Sequence, residues 1–171
     1  MTKTTFLSFA YGSNMLTRRL TAPDRAPSAV RTSVGYVEGR RLTFDKVSQD
    51  GSGKCDAHAT QSKTDRVYGV IFEIGDSDRA RLDEAEGLEK GYEEQTVEVI
   101  TPAGTIIAWT YIATKKEPAL RPYHWYKAFT IAGALEHGVP TAYVEWLRTF
   151  DSIEDPKSDR RAKNEALLFA T

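Results

Sequence analysis

The chain has 171 residues, 40% of them hydrophobic and 11% aromatic, which suits one domain with a sizeable core and excludes a disordered chain. Lysine and arginine number 23 against 24 aspartate and glutamate; with no basic block, nothing marks a nucleic-acid or membrane surface, and a small-molecule partner is expected. The one cysteine, Cys55, excludes an internal disulfide and makes no zinc pattern with the scattered His58, His124 and His137, so a reduced, metal-free and cytoplasmic protein is expected.

Met1 to Ala10 holds too short an apolar run for a signal-peptide core, and no later run approaches the length of a membrane helix. Phe6-Leu7-Ser8-Phe9-Ala10 reads as a strand that breaks at Tyr11-Gly12-Ser13-Asn14 and continues into a helix, Met15 to Leu20. Gly12 can bring its backbone against a ligand, and Ser13 or Asn14 can cap the helix. Free N–H groups would then converge at a positive helix end, which suits a carboxylate or an oxyanion. A plain glycine turn before a capped helix fits the same residues.

Thr21 to Ala29 carries Pro23 and Pro27 and reads as a loop. Val30–Val37 and Arg41–Val47 are β-type runs split by Glu38-Gly39-Arg40, as a hairpin or as a bulged long strand. After the loop at Gln49 to Lys54 comes a short strand, Cys55 to Thr60, and then Val67 to Ile74, continuous enough in apolar residues to be a central strand. Asp76-Ser77 can cap a helix to Glu86 with Ala80, Leu82 and Ala85 facing inward and Gly87 as its left-handed stop. Tyr92–Ile100 and Thr105–Ala113 flank Pro102-Ala103-Gly104 as a hairpin. Pro122 suits the first turn of a helix that carries Tyr126, Phe129 and Gly133 as far as Gly138-Val139-Pro140. A helix follows over Ala142–Phe150, and after a polar loop Arg160–Phe169 forms a last helix that docks or frays.

Among the acidic residues Glu86 stands out because it closes a short helix. The C-terminal dipole and Asp83 one turn earlier both disfavour its ionised form, the direction that general-base work requires. A solvated acidic helix face is the other reading of the same cluster. Tyr11, Tyr68, Tyr92, Tyr111, Tyr123 and Tyr126 can line a polar-aromatic cleft. Arg18 and Arg19 are read as solvated, and Cys55, with no base or helix N-terminus beside it, as an inert thiol.

Three segments in order carry a resemblance: Phe9-Ala10-Tyr11-Gly12-Ser13-Asn14; Val67-Tyr68-Gly69-Val70-Ile71-Phe72 leading to Leu82-Asp83-Glu84-Ala85-Glu86-Gly87; and Tyr126-Lys127 opening a helix that ends in Gly138-Val139-Pro140. Together they make the chain resemble the γ-glutamylcyclotransferases of the AIG2-like superfamily over residues 1–150, leaving 151–171 as a C-terminal loop and helix of unassigned role. The resemblance implies an α+β fold, a small mixed β-barrel with flanking helices. It also implies a reaction that frees an amine or amino acid from a γ-glutamyl group as the glutamyl part cyclises to 5-oxoproline. Glu86 is then the acid/base residue, Ser8, Phe9, Ala10, Tyr11, Gly12, Ser13 and Asn14 line the substrate pocket, and Tyr126 contacts the substrate. The link Gly87-Leu88-Glu89-Lys90-Gly91 is one residue shorter than the family pattern, so Tyr92 is given no role. The nucleophile of this reaction is the substrate's own α-amine and ring closure is intramolecular, so no metal or cofactor is expected. No feature indicates an oligomer, and a non-catalytic module that binds a small anion or γ-glutamyl ligand is the reading from a different class.

Overall fold

The computed structural model describes residues 3–170. Strands β1 (Thr5–Ala10), β2 (Val30–Glu38), β5 (Arg66–Gly75), β6 (Tyr92–Thr101) and β7 (Gly104–Ala113) close a barrel in the order β1-β5-β2-β6-β7. All neighbours are antiparallel except β1 and β7, which meet in parallel at Ser8 and Trp109 and close the ring. The barrel is therefore mixed, as expected.

Strand β5 lies between β1 and β2, and Val67, Val70, Ile71, Phe72 and Ile74 are fully buried on its two faces. That is why its sequence shows a continuous apolar run rather than alternation. Strands β3 (Arg40–Val47) and β4 (Gly53–Ala59) pair with each other outside the barrel. β2 and β3 are consecutive but do not form a hairpin; Gly39, at φ 74°, lets the chain leave one sheet for the other. The hairpin alternative is corrected, and the hairpin of β6 and β7 stands.

At the start of the chain the helix begins later than expected. A single 3-10 turn, Ser13–Met15, is followed by extended Leu16 and a four-residue α1 (Thr17–Leu20). Neither Ser13 nor Asn14 caps α1, because both side chains are engaged in tertiary bonds. Ser13 Oγ accepts from Arg19 Nε at 3.0 Å, and Asn14 bonds Glu86 and Arg25. α2 (Arg79–Glu86) likewise starts after a 3-10 turn at Asp76–Asp78, with no side-chain cap. Of its three expected inward residues only Leu82 is buried, while Ala80 and Ala85 face solvent. The helix ends at Glu86 with Gly87 left-handed at φ 74° and ψ 45°, as read.

α3 (His124–Glu136) is the long helix, with Trp125, Tyr126, Phe129 and Gly133 buried and Leu135 exposed. Pro122 precedes its cap, Tyr123, rather than occupying its first turn. α3 lies against the 3-10 turn so closely that a Cβ on Gly133 would stand 2.4 Å from Leu16 N and 2.5 Å from the Met15 carbonyl carbon. α4 (Thr141–Arg148) buries Tyr143, Val144 and Leu147, and α5 (Ser158–Phe169) packs on α3. Its entry is pinned by buried Asp155, which accepts from Trp125 Nε1 at 2.9 Å and from two Arg160 nitrogens at 2.6 Å. Arg18 donates to the carbonyls of Leu167 and Leu168 at 3.2 Å, so the last helix docks. No helix among the described residues is long and apolar enough to cross a membrane.

Candidate active site

The turn after β1 crosses one end of the barrel, and α2 delivers its last residue to the same place. Phe9 to Asn14, Glu86 and Tyr126 line one cavity with Cys55, Tyr92, Thr110 and Tyr111. Of the candidate site residues Ser8 does not line it, and of the six tyrosines expected at a cleft Tyr68 and Tyr123 do not. Ser8 is buried further down β1, in register with Phe72 on β5 and Trp109 on β7. The tight 3-10 turn uses the carbonyls of Gly12 and Ser13 as acceptors for Met15 and Leu16, while the N–H groups of Gly12, Ser13 and Asn14 have no acceptor among the described residues. The unpaired donors here belong to the turn rather than to the start of α1.

Glu86 is held from two sides. Its Oε1 accepts from Asn14 Nδ2 at 2.6 Å and from Arg25 Nη1 at 2.8 Å, and Arg25 also donates to Asn14 Oδ1 at 3.1 Å. The Arg25 and Glu86 side chains are 13% and 18% exposed, so this ion pair is well removed from solvent. Both donors converge on Oε1, and Oε2 has no partner among the described residues. Arg25, from a loop read merely as proline-rich, supplies an opposing cation, and no local pattern distinguished it from a solvated arginine. Asp83 is itself engaged, accepting from Tyr111 Oη at 2.5 Å.

The tyrosines form the apolar wall and are bonded to the frame. Tyr11 donates to the Tyr111 carbonyl, Tyr92 donates to the Cys55 carbonyl at 2.5 Å, and Tyr126 Oη accepts from Cys55 N at 3.1 Å. Burial raises Tyr11, Tyr92 and Tyr126 well above the usual phenol range, and Tyr111 is raised by burial and then by its bond to Asp83. All four stay neutral hydroxyls. Tyr92, given no role from the sequence, belongs to the wall. The link from Gly87 to Gly91 reaches it with Gly87, Glu89 and Gly91 all at positive φ. Cys55 is buried and its thiol is pushed up to about 12 by burial, an inert thiol as read.

Beyond Glu86 the cavity is basic, with Arg19, Arg25, Lys46, Lys54 and Lys90 in its lining. Arg19 is not solvated as expected. It turns inward over the Phe129 ring, 4.8 Å from the centroid, and burial brings it down to about 10. Lys54 lies 4.3 Å from the centroid of the Tyr126 ring and is lowered to about 8, burial outweighing its ion pair with Asp50 at 2.8 Å. Lys46 is buried and lowered by the same cause. Among the described residues no group of three or more histidine, cysteine, aspartate or glutamate side chains could hold a metal ion.

The barrel and cavity thus bring together one held carboxylate, unpaired backbone donors and a basic flank. A family model described as the AIG2-like family matches residues 66–147. The γ-glutamylcyclotransferase of Mus musculus is 36% identical over 176 aligned residues, covering 96% of this chain and 92% of that protein. That of Homo sapiens is 38% identical over 152, covering 85% and 79%. A solved structure of a γ-glutamyl cyclotransferase superposes with a TM-score of 0.83 at 31% identity, covering 95% of this chain and 99% of that one. The chain belongs to the AIG2-like γ-glutamylcyclotransferase family.

Proposed function

We propose that this protein is a γ-glutamylcyclotransferase that converts a γ-glutamyl amide to 5-oxoproline and a free amine or amino acid, with Glu86 as the proton carrier. The observation that carries the reading is the convergence, in one cavity, of the Glu86 carboxylate with the unbonded N–H groups of Gly12, Ser13 and Asn14.

In this scheme the site folds the γ-glutamyl group so that its neutral α-amine faces its own γ-carbonyl carbon, which makes the attack intramolecular. A C–N bond forms, the carbonyl oxygen becomes an oxyanion, and Oε2 of Glu86 takes the proton that the amine loses. Collapse breaks the original amide C–N bond, and the same proton passes from Glu86 to the departing nitrogen. Protons balance across the two steps. The backbone donors of the turn either stabilise the oxyanion or bind the α-carboxylate, while Asn14 and Arg25, both on Oε1, keep Oε2 turned toward the substrate. Among the wall tyrosines Tyr126, whose hydroxyl accepts from Cys55 N and keeps its own proton to donate, orients the ligand, while the hydroxyls of Tyr11, Tyr92 and Tyr111 are bonded to the frame.

The test is a panel of γ-glutamyl amino acids, amines and amides incubated with the protein, with 5-oxoproline read by mass spectrometry. At least one compound is expected to turn over. Binding without 5-oxoproline from any of them would replace the enzyme by a ligand-binding module.

A further inference from the structure

Glu86 divides the cavity into two lobes of opposite character. The inner lobe, between the Phe9–Asn14 segment and Tyr111, has Glu86 as its one charged lining residue among those described. The outer lobe encloses about 180 Å³ and carries the five cations of the basic flank against Glu84 and Glu86. Two of these cations already have counter-ions, Arg25 on Glu86 and Lys54 on Asp50, each at 2.8 Å, while Lys90 and Glu84 are exposed. Arg19 and Lys46 remain.

Lys46 is only 6% exposed, and its ammonium lies 4.4 Å from the centroid of the Tyr92 ring. It has no ion pair or side-chain hydrogen bond among the described residues, although burying an unpaired charge is costly. Arg19 gives its Nε to Ser13 Oγ at 3.0 Å and stacks on Phe129, with no carboxylate partner among the described residues. Lys46 and Arg19 lie in the field of Glu86 but have no direct ion pair among the described residues, and two such cations are suited to accept two anionic groups from a ligand.

The reaction fixes which part of the substrate they would meet. Glu86 must reach both the attacking amine and the departing nitrogen, so the scissile bond lies at the junction of the lobes. With the γ-glutamyl part beside the turn, the departing group lies on the far side of Glu86, in the outer lobe. We propose that the outer lobe is a leaving-group subsite for a dicarboxylic amino acid, glutamate or aspartate, with one carboxylate on Lys46 and the other on Arg19; this rests on the cyclotransferase reading. Lys46 and Arg19 are then specificity-determining residues, and a leaving group with one carboxylate or none leaves one or both cations uncompensated.

The measurement compares γ-glutamyl-glutamate with γ-glutamyl-glutamine, which differ by one carboxylate at nearly constant shape, and adds γ-glutamyl-ethylamide, which has none on the leaving side. In kcat/KM the glutamate compound is expected to exceed the glutamine compound by about tenfold or more, the scale of one charge-assisted hydrogen bond, with the ethylamide lower still. Lys46→Met, which keeps an unbranched apolar stem against Tyr92, is expected to bring the glutamate-to-glutamine ratio to within about threefold, and Lys46→Arg to restore part of it; the ratio is read whatever the absolute rates. Equal kcat/KM for the two substrates on the unmodified protein overturns the subsite, even if 5-oxoproline forms. If no compound in the panel turns over, the catalytic reading fails, and the subsite is decided by calorimetric binding of the same two compounds, where equal affinity overturns it.

Discussion

Glu86→Gln tests the centre of the site because the structure separates the two carboxylate oxygens. A glutamine can keep its carbonyl where Oε1 stands, still accepting from Asn14 Nδ2 and Arg25 Nη1, and place its NH2 where Oε2 stands. The geometry survives and the ability to take a proton is lost. Removing a general acid/base typically costs 10²- to 10⁴-fold, and because one group serves both proton transfers the loss is expected in the upper part of that range, about 10³-fold or more. Stability moves too. The helix end alone would favour the neutral side chain by a few tenths of a kcal/mol. The substitution, however, leaves the Arg25 guanidinium without its counter-ion at a site where the pair is 13% and 18% exposed, between the nearly free exposed pair and the costly buried one. A net loss of about 1 kcal/mol follows, or about 2–4 °C in Tm for a chain of this size. Turnover, Tm and the thermal shift with a γ-glutamyl ligand should be measured on one preparation. Turnover should collapse while the ligand still raises Tm by mass action. Turnover within about threefold of the parent, far below the general-base range, would refute the assignment, and a rise in Tm would refute the weight given to Arg25.

Tyr126→Phe removes a hydroxyl that accepts from Cys55 N; it should cost about 1–3 kcal/mol of stability by orphaning that buried donor and reduce kcat/KM less than Glu86→Gln, and the reverse order of activities would exchange their roles. Gly133→Ala should lower both Tm and turnover, since its methyl group would stand 2.4 Å from backbone at Leu16 and displace the turn that carries the free donors; overpacking of this kind costs about 1–3 kcal/mol, and a variant with parental Tm would show that α3 yields without moving the turn. Cys55 should resist a thiol reagent at pH 8 in the folded protein and react once unfolded. Its folded value is raised, from 9.0 to about 12, so the stability it contributes is complete below pH 9 and is lost as pH climbs from 9 to 12; the parent should therefore lose more Tm across that window than Cys55→Ala, and parallel Tm–pH curves would contradict the burial argument.

Most of the barrel was legible along the chain because its strands are punctuated locally. Gly87 marks the end of α2, Pro102 to Gly104 mark the hairpin, and β5 shows its two-sided burial as an unbroken apolar run. Pairing was not legible. The run from β2 into β3 has the same local pattern whether the two strands pair with each other or separate into two sheets, and only their partners β5 and β4 decide it. Side-chain capping failed for a related reason, since Ser13 and Asn14 could cap a helix locally but are bonded instead to Arg19 and Glu86.

By itself the sequence determined that Glu86 closes a short helix and that Tyr11 to Asn14 form a turn with backbone to spare, because both depend on neighbours a few residues apart. Only the tertiary structure decided that the two meet 72 residues apart at 2.6 Å, that Arg25 shares Oε1 with Asn14, and that Lys46 is buried with no ion pair among the described residues. A charged side chain in a sequence carries no mark of which other charge it faces. That depends on how the strands close the barrel, and electrostatic interaction falls with distance in space rather than along the chain.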